Sequence, residues 1–411
     1  MLRLPKFARV LGCRKISPCW SVNLRSTTTS ESAEPPISLA SLDEDLIASI
    51  RKYDALKPHP QSLHDILKVS SSSPSFLPSE FRIRCAERIC MLEEKIPNFA
   101  EIPELAEVYT KHIQSFVDMR NYQYKNNLED FLPVVQRIVE RGRDIIPLMC
   151  QGMSRLIASD ENIDEEFINK FMNEFLLNRI GSNVIMSQYL AVATEGNSII
   201  DPECNVAAIC RETAREVKQL CYQETGYRPI IKIESYQSTT KSDAPIEGFA
   251  FIPAALSYMV QELLKNSSVA TAKLHQKQKE TRSMITSKVN DDLAISVVVS
   301  TDERRVMIFI GDRAGGIPFD VGQHIWSYLY STKRRRREGL GPATELGGFG
   351  IGLPLSRLYA SYLGGTINLV SIPGYGTHAY IFLPRLPEKM VESVPVRASG
   401  WESRCNREFI L

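Results

Sequence analysis

The chain has no run of the roughly 18 apolar residues that a membrane-spanning helix needs, and it shows no internal repeat. Net charge is almost nil: 49 Lys and Arg against 48 Asp and Glu leave +1, so there is no global basic field and no compositional case for a nucleic-acid partner. A cysteine framework is also missing. Nine cysteines are present, none in a C-x-x-C pair, and free thiols buried in a reducing compartment fit better than disulfides or zinc. The start of the chain has no acid before Glu31, while Arg3, Lys6, Arg9, Arg14, Lys15 and Arg25 precede the polar run Ser26-Thr-Thr-Thr-Ser30. No clean apolar stretch follows those charges, which excludes a secretory signal and leaves residues 1–30 with the composition of a mitochondrial transit peptide.

What remains is ample for two domains. The 411 residues are 43% hydrophobic and 24% charged, as soluble globular proteins are, and the length lets each of two domains bury its own core. From about Leu42 to Leu190 the apolar residues recur at helical spacing, as in Val134, Val135, Ile138 and Val139 and in Phe167, Phe171 and Phe175. Breaks at 57–60, 70–78 and 159–164 divide this stretch into a bundle of several helices. After Ile200 the texture changes. Runs at 230–234, 293–299, 306–310, 366–370 and 378–383 are rich in β-branched residues and read as strands, with helical runs at 206–223, 254–274 and 354–363 between them. The fold class expected is therefore α followed by α/β, a helical bundle and then a mixed sheet with helices over one face.

Three short blocks in the second half carry chemistry. Glu262-Leu-Leu-Lys-Asn266 places an acid and an amide four residues apart, hence on one helix face, a pair suited to a hard cation such as Mg²⁺. Asp312-Arg-Ala-Gly-Gly316 follows a strand-like run. There an exposed carboxylate could accept a hydrogen bond from an exocyclic amine, while Gly315 and Gly316 allow a flat ring to approach closely. Gly347-Gly-Phe-Gly350-Ile-Gly352 opens a helical run, where backbone N–H groups and the helix dipole favour phosphate. No Gly-Lys-Ser/Thr follows, so this is not a P-loop, and the glycine spacing does not suit a Rossmann site. Between the second and third blocks, Lys333-Arg-Arg-Arg-Arg337 and Gly339-Leu-Gly-Pro342 lie in a stretch of little apolar periodicity. That stretch reads as a lid over nucleotide or as a solvated basic loop.

In this order the blocks resemble the N, G1 and G2 boxes of the GHKL ATPases, the superfamily of gyrase, MutL, Hsp-type chaperones and histidine kinases. Within it, Ile200-Asp-Pro-Glu-Cys-Asn-Val206, Tyr328-Leu-Tyr-Ser331-Thr332 and Gly348-Phe-Gly-Ile-Gly-Leu-Pro-Leu-Ser-Arg357-Leu-Tyr-Ala360 are similar to the mitochondrial kinases of 2-oxoacid dehydrogenases. The likeness spans roughly residues 40 to 387. It implies a transit peptide at 1–30, a helical bundle at 40–195, a Bergerat-type ATP-binding α/β sandwich at 200–387 and a C-terminal tail at 388–411. It also implies a matrix protein-serine kinase that inactivates a dehydrogenase component. Pyruvate dehydrogenase is the first choice; a branched-chain ketoacid dehydrogenase kinase or an ATP-binding scaffold without transfer activity is the alternative.

On matched positions the resemblance gives Glu262 as general base on the substrate hydroxyl and Asn266 as the Mg²⁺ ligand. Asp312 and Gly316 would meet adenine, with Thr377 supporting that side; Ser331, Thr332, Gly348, Phe349, Gly350, Ile351, Gly352 and Leu353 would complete the ATP site. The implied partners are the dehydrogenase, the lipoyl domain of the acyltransferase core and a second copy of the chain. Some positions depart from the pattern: Val269 stands where the family commonly has Arg, Gly142 where it has His, and Tyr258 where the pyruvate group has His; Trp401-Glu402 is all that remains of a longer tail. A histidine-kinase reading would need a phosphoacceptor, for which His59, His64 and His112 are the bundle candidates. Arg84 and Arg88, in a run that also resembles the family, are expected on a solvated or salt-bridged helix face.

Overall fold

The computed structural model describes residues 42–67, 76–122, 131–160, 162–237, 240–241, 246, 248–281, 293–330, 350–385 and 391–393. The helical half runs α1 (Glu44–Asp54), α2 (Leu63–Leu67), α3 (Phe76–Lys95), α4 (Pro103–Asn121), α5 (Leu132–Arg141), α6 (Ile145–Ser159) and α7 (Glu165–Glu195). The boundaries follow local chemistry. Asp164 caps α7 by accepting the Phe167 N–H at 2.7 Å, and Gly196 ends the helix at φ 65°, a left-handed turn that glycine adopts without strain. Pro78 is not a break between elements: it lies in the first turn of α3, where a missing N–H costs nothing. The apolar stripes read from the sequence face inward, and the rings of Phe167, Phe171 and Phe175 stack in succession along α7.

The second half begins with α8 (Val206–Thr225), capped by Asn205, whose side chain accepts the Ala208 N–H at 2.9 Å. Then come β1 (Ile231–Gln237), β2 (Thr240–Lys241), α9 (Pro253–Thr281), β3 (Ile295–Thr301), β4 (Arg305–Asp312), α10 (Phe319–Gly322), α11 (Gly352–Tyr362), β5 (Thr366–Ile372) and β6 (Gly376–Pro384). Among the described residues the strands form one sheet in the order β2-β1-β3-β4-β6-β5. The β1–β3 pair is parallel and the other pairs are antiparallel. Alternation decides the faces: Ile295, Val297, Val299, Val306, Ile308, Ile310, Ala379 and Ile381 are buried under α8, α9 and α11. Val298, Met307, Phe309, Tyr380 and Phe382 point to the other face and stay partly exposed. The expected class is thus observed, with helices on one side of a mixed sheet.

α11 also packs against α7, so it belongs to both halves, and its C-terminal end meets a buried ion cluster. Glu392, from residues 391–393, accepts from Arg84 Nη1 at 3.2 Å, from the Gln61 N–H at 3.0 Å and from the Tyr362 hydroxyl at 2.6 Å. Arg84 Nε donates to Glu80 at 2.8 Å, and the Ser393 N–H donates to the Tyr362 carbonyl at 3.2 Å. Gly181 of α7 makes room: a Cβ there would sit 2.2 Å from Arg84 Nη1 and 2.8 Å from Glu392 Oε2. The expectation for Arg84 is half met. It is salt-bridged, but only 1% exposed. Burial works against its charge, yet Glu392 and Glu80 raise its pKa above the usual arginine range. Arg88 is buried as well, donating to the Asn178 and Ser182 side chains; burial first, and then the charges of Arg179 and Arg84, lower it to about 10.

Candidate nucleotide site

The site lies where α9, the end of β4 and the start of α11 converge. Asp312 closes β4 opposite Thr377 of β6 and is only 3% exposed, whereas the sequence suggested an exposed carboxylate. The difference comes from α9 packing over β4. Ser267 of α9 donates to Asp312 Oδ2 at 2.9 Å, and the Ala314 N–H donates to Oδ1 at 3.0 Å. Burial raises the Asp312 carboxyl above the ordinary range, while hydrogen bonds from Ala314, Ser267 and the Thr377 N–H, with the His378 charge, act the other way.

The turn after Asp312 requires glycine. Gly316 has φ 69°, and a Cβ on it would lie 2.3 Å from the Ile372 carbonyl oxygen, closer than any real contact. Gly315, at φ 91°, has none of the described residues within 4 Å of its missing Cβ, so among them the turn is open on that side. Thr377 joins from β6: its hydroxyl is 3.2 Å from Ser371 Oγ, which in turn accepts the Ile317 N–H at 2.7 Å. Gly316→Ala is expected to lower folding free energy by about 1–3 kcal/mol through backbone strain. Chemical denaturation checks this, and an unchanged midpoint would contradict it.

The glycine run meets the catalytic side. Gly350 has φ 81°, and its carbonyl accepts the Leu329 N–H at 3.1 Å. Ile351 is buried, Leu353 packs against the core, and Gly352 begins α11. A Cβ on Gly352 would lie 2.2 Å from Glu262 Oε2, so the glycine lets the Glu262 carboxylate rest against the helix start. There the unpaired N–H groups and the dipole favour negative charge. The other oxygen, Oε1, accepts from Lys265 Nζ at 2.9 Å, and that lysine is 7% exposed. Asn266, next along α9, is exposed. Its amide oxygen beside a carboxylate is a hard-oxygen donor set that fits Mg²⁺. Tyr258, one turn before Glu262, packs edge-on to Tyr359 at 5.2 Å. Burial, and then the nearby Glu262 charge, hold its hydroxyl proton well above the usual phenol range, so it is a neutral phenol and no base.

The comparisons with known proteins bear directly on this arrangement. The profile described as mitochondrial branched-chain alpha-ketoacid dehydrogenase kinase matches residues 56–212. The one described as histidine kinase-, DNA gyrase B-, and HSP90-like ATPase matches residues 252–387. [Pyruvate dehydrogenase (acetyl-transferring)] kinase isozyme 3 of Homo sapiens is 30% identical over 375 residues, covering 86% of this chain and 89% of that protein. Isozyme 4 of Homo sapiens is 28% identical over 370 residues (84% and 86%), and isozyme 1 of Rattus norvegicus 28% over 414 residues (95% and 91%). The chain belongs to the mitochondrial 2-oxoacid dehydrogenase kinase family. As a member of this family it is an ATP-dependent protein kinase with a GHKL nucleotide domain.

For this family member, the described residues bring together Glu262, Asn266, Asp312, Gly316, Gly350, Ile351, Gly352, Leu353 and Thr377. Ser331, Thr332, Gly348 and Phe349 lie outside the described residues, as do the arginine run at 333–337, the segment 1–30 and Trp401. Sequence reasoning missed Lys265 and Ser267, although both flank Asn266 in the first block. It also missed how α7 anchors the approach to the glycine run. The Tyr328 N–H donates to Asn169 Oδ1 at 2.9 Å, and the Tyr328 hydroxyl to Asn173 Oδ1 at 2.8 Å. Ser327 donates to Glu165, and His324 lies 2.9 Å from the same carboxylate. The departures have simple surroundings. Val269 packs against Cys221 and Ala272, and the Gly142 carbonyl accepts from Arg179 at 2.5 Å. His112 is buried with Nδ1 on the Val108 carbonyl at 2.7 Å, which removes it as an accessible phosphoacceptor; His59 is exposed and lies 3.0 Å from Glu80, and the His64 side chain lies outside the described residues.

Proposed function

We propose that the protein is a matrix protein-serine kinase that phosphorylates and inactivates the dehydrogenase component of the pyruvate dehydrogenase complex. One observation carries the reading. Asp312, which leads into the Gly315–Gly316 turn, and the start of α11 both meet the part of α9 that bears Glu262 and Asn266, in a chain 30% identical over most of its length to a human pyruvate dehydrogenase kinase. The acid-free basic segment 1–30 supports the matrix as its compartment.

In this reading, Asp312 accepts a hydrogen bond from the adenine amine, the glycine turn admits the ring, and Thr377 steadies that side. Backbone N–H groups at Gly350, Ile351 and Gly352 meet the phosphates, with Ser331, Thr332, Gly348, Phe349 and Leu353 completing the enclosure. Asn266 would hold Mg²⁺, which supplies charge neutralisation for the transferring phosphoryl group. Glu262 takes the proton from the substrate serine hydroxyl as its oxygen bonds to the γ-phosphorus, the bond to the bridging oxygen breaks, and ADP leaves. Lys265 and the start of α11 hold that carboxylate in place for the transfer.

The domain division at 40–195 and 200–387 follows the change from helices to sheet, and the helical half is the surface we assign to the lipoyl domain. A second copy would cover the sheet face carrying Val298, Met307, Phe309, Tyr380 and Phe382, which the described helices leave uncovered.

Transfer of labelled γ-phosphate to purified pyruvate dehydrogenase and, separately, to branched-chain ketoacid dehydrogenase tests the reading. Label on a serine of the pyruvate enzyme, abolished when Mg²⁺ is chelated, is the expected result. Tight ATP binding with no label on either enzyme, even with the acyltransferase core added, would leave only a nucleotide-binding scaffold.

A further inference from the structure

Asp312 is held from α9 as well as from its own strand. Ser267, 8% exposed, donates its hydroxyl to Oδ2 at 2.9 Å, and the Ala314 N–H fixes Oδ1 at 3.0 Å. One turn on, Thr271 Oγ1 donates to the Ser267 carbonyl at 2.7 Å, adding a side-chain bond to the turn that carries the serine. We propose that Ser267 is a positioning residue for base selection: its hydroxyl orients Asp312 as a pure acceptor, so that the site takes a purine with an amine at C6 over one with a carbonyl there. The inference rests on the reading of Asp312 as the group that meets the base.

The chemistry follows from what each protonation state can do. An ionised carboxylate only accepts hydrogen bonds, and its two oxygens offer about four lone-pair directions. With Ser267, Ala314 and the Thr377 N–H each using one, one remains for the amine of adenine, while a C6 carbonyl would face like charge. A protonated carboxyl gains an O–H donor, which suits a C6 carbonyl and weakens the discrimination. Burial drives Asp312 towards that protonated form; Ala314, Ser267 and the Thr377 N–H oppose it, together with His378 of β6, the titratable side chain that acts on it. The Ala314 and Thr377 donors are backbone, and His378 also packs against Phe309 at 5.2 Å. Ser267 is therefore the contribution that a small substitution removes cleanly.

The sign with pH is fixed. The acceptor form exists above the Asp312 pKa and is lost as pH falls through it. That pKa is already raised, and loss of the Ser267 bond raises it further. Affinity for an adenine nucleotide then begins to fall at a higher pH, while affinity for a hypoxanthine nucleotide does not fall with it.

Calorimetric titration of the full chain with ADP and with IDP, between about pH 5.5 and pH 8, provides the test. Ser267→Ala is expected to weaken ADP binding about tenfold near neutral pH, to leave IDP binding nearly unchanged, and so to lower the ADP preference by about the same factor. The gap should widen towards acid. Ser267→Thr, which keeps a hydroxyl, restores the preference, and Asp312→Asn abolishes it. Wild-type ratios for Ser267→Ala at every pH, beside a lost preference for Asp312→Asn, would overturn the role of Ser267 alone. A preserved preference in Asp312→Asn would overturn the reading of Asp312 itself, and the inference with it.

Discussion

Glu262→Gln should lower kcat for phosphoryl transfer by about a hundredfold or more, with ADP affinity changed by less than about twofold. The two effects separate because Gln keeps the shape of the side chain and one oxygen while losing the basic site. Glu262 lies against the first residue of α11 and 2.9 Å from Lys265 Nζ, so a carboxylate there is held by an ammonium and a helix start rather than by the substrate. Neither of the two described titratable side chains beside it can take over its role. Tyr258 keeps its proton well above neutral pH, and the Lys265 ammonium that donates to Glu262 has no lone pair to accept one. A fall in kcat with constant ADP affinity marks an interaction made in the transition state. Single-turnover transfer and direct ADP titration measure the two quantities; an unchanged kcat would remove Glu262 from the chemistry.

Glu392→Ala should cost about 3–5 kcal/mol of folding free energy, the usual penalty for leaving one half of a buried ion pair without its partner. Arg84 would keep Glu80 but lose both Glu392 contacts, and its guanidinium would remain in the interior. The Gln61 N–H and the Tyr362 hydroxyl would lose their acceptor at the same time. Replacing both charges, as in Arg84→Met with Glu392→Leu, should recover most of the loss, because well-packed apolar residues often match a buried pair in stability. Chemical denaturation of the single and double variants checks the pair. A single variant within about 1 kcal/mol of wild type would show that the cluster carries little net stability.

Much of the fold was open to reading because the relevant signals are local. Ile295, Val297 and Val299 alternate with Ser296, Val298 and Ser300, and such alternation fixes a strand and its faces without knowledge of its neighbours. The three nucleotide blocks were legible for a similar reason, since Asp312, Gly316 and Gly352 sit in short motifs whose glycines answer to backbone geometry. Arg84 was harder. A charged helix residue normally faces water, and the acid that buries it lies 308 positions away, beyond any periodicity argument. The exposure expected for Asp312 failed on the same ground, because α9 covers it through a contact 45 positions distant. Ser267 and Lys265 were in plain view beside Asn266, but nothing in their type or spacing shows which atoms they hold.

α11 is eleven residues long, about 16 Å from end to end at the rise of an α-helix. Gly352 at one end touches the Glu262 carboxylate, and Tyr362 at the other donates to Glu392. When missense variants of this chain are sorted, a change at Glu392 or Tyr362 therefore belongs beside changes at Gly352, although 40 positions separate Gly352 from Glu392. One rigid rod carries both addresses.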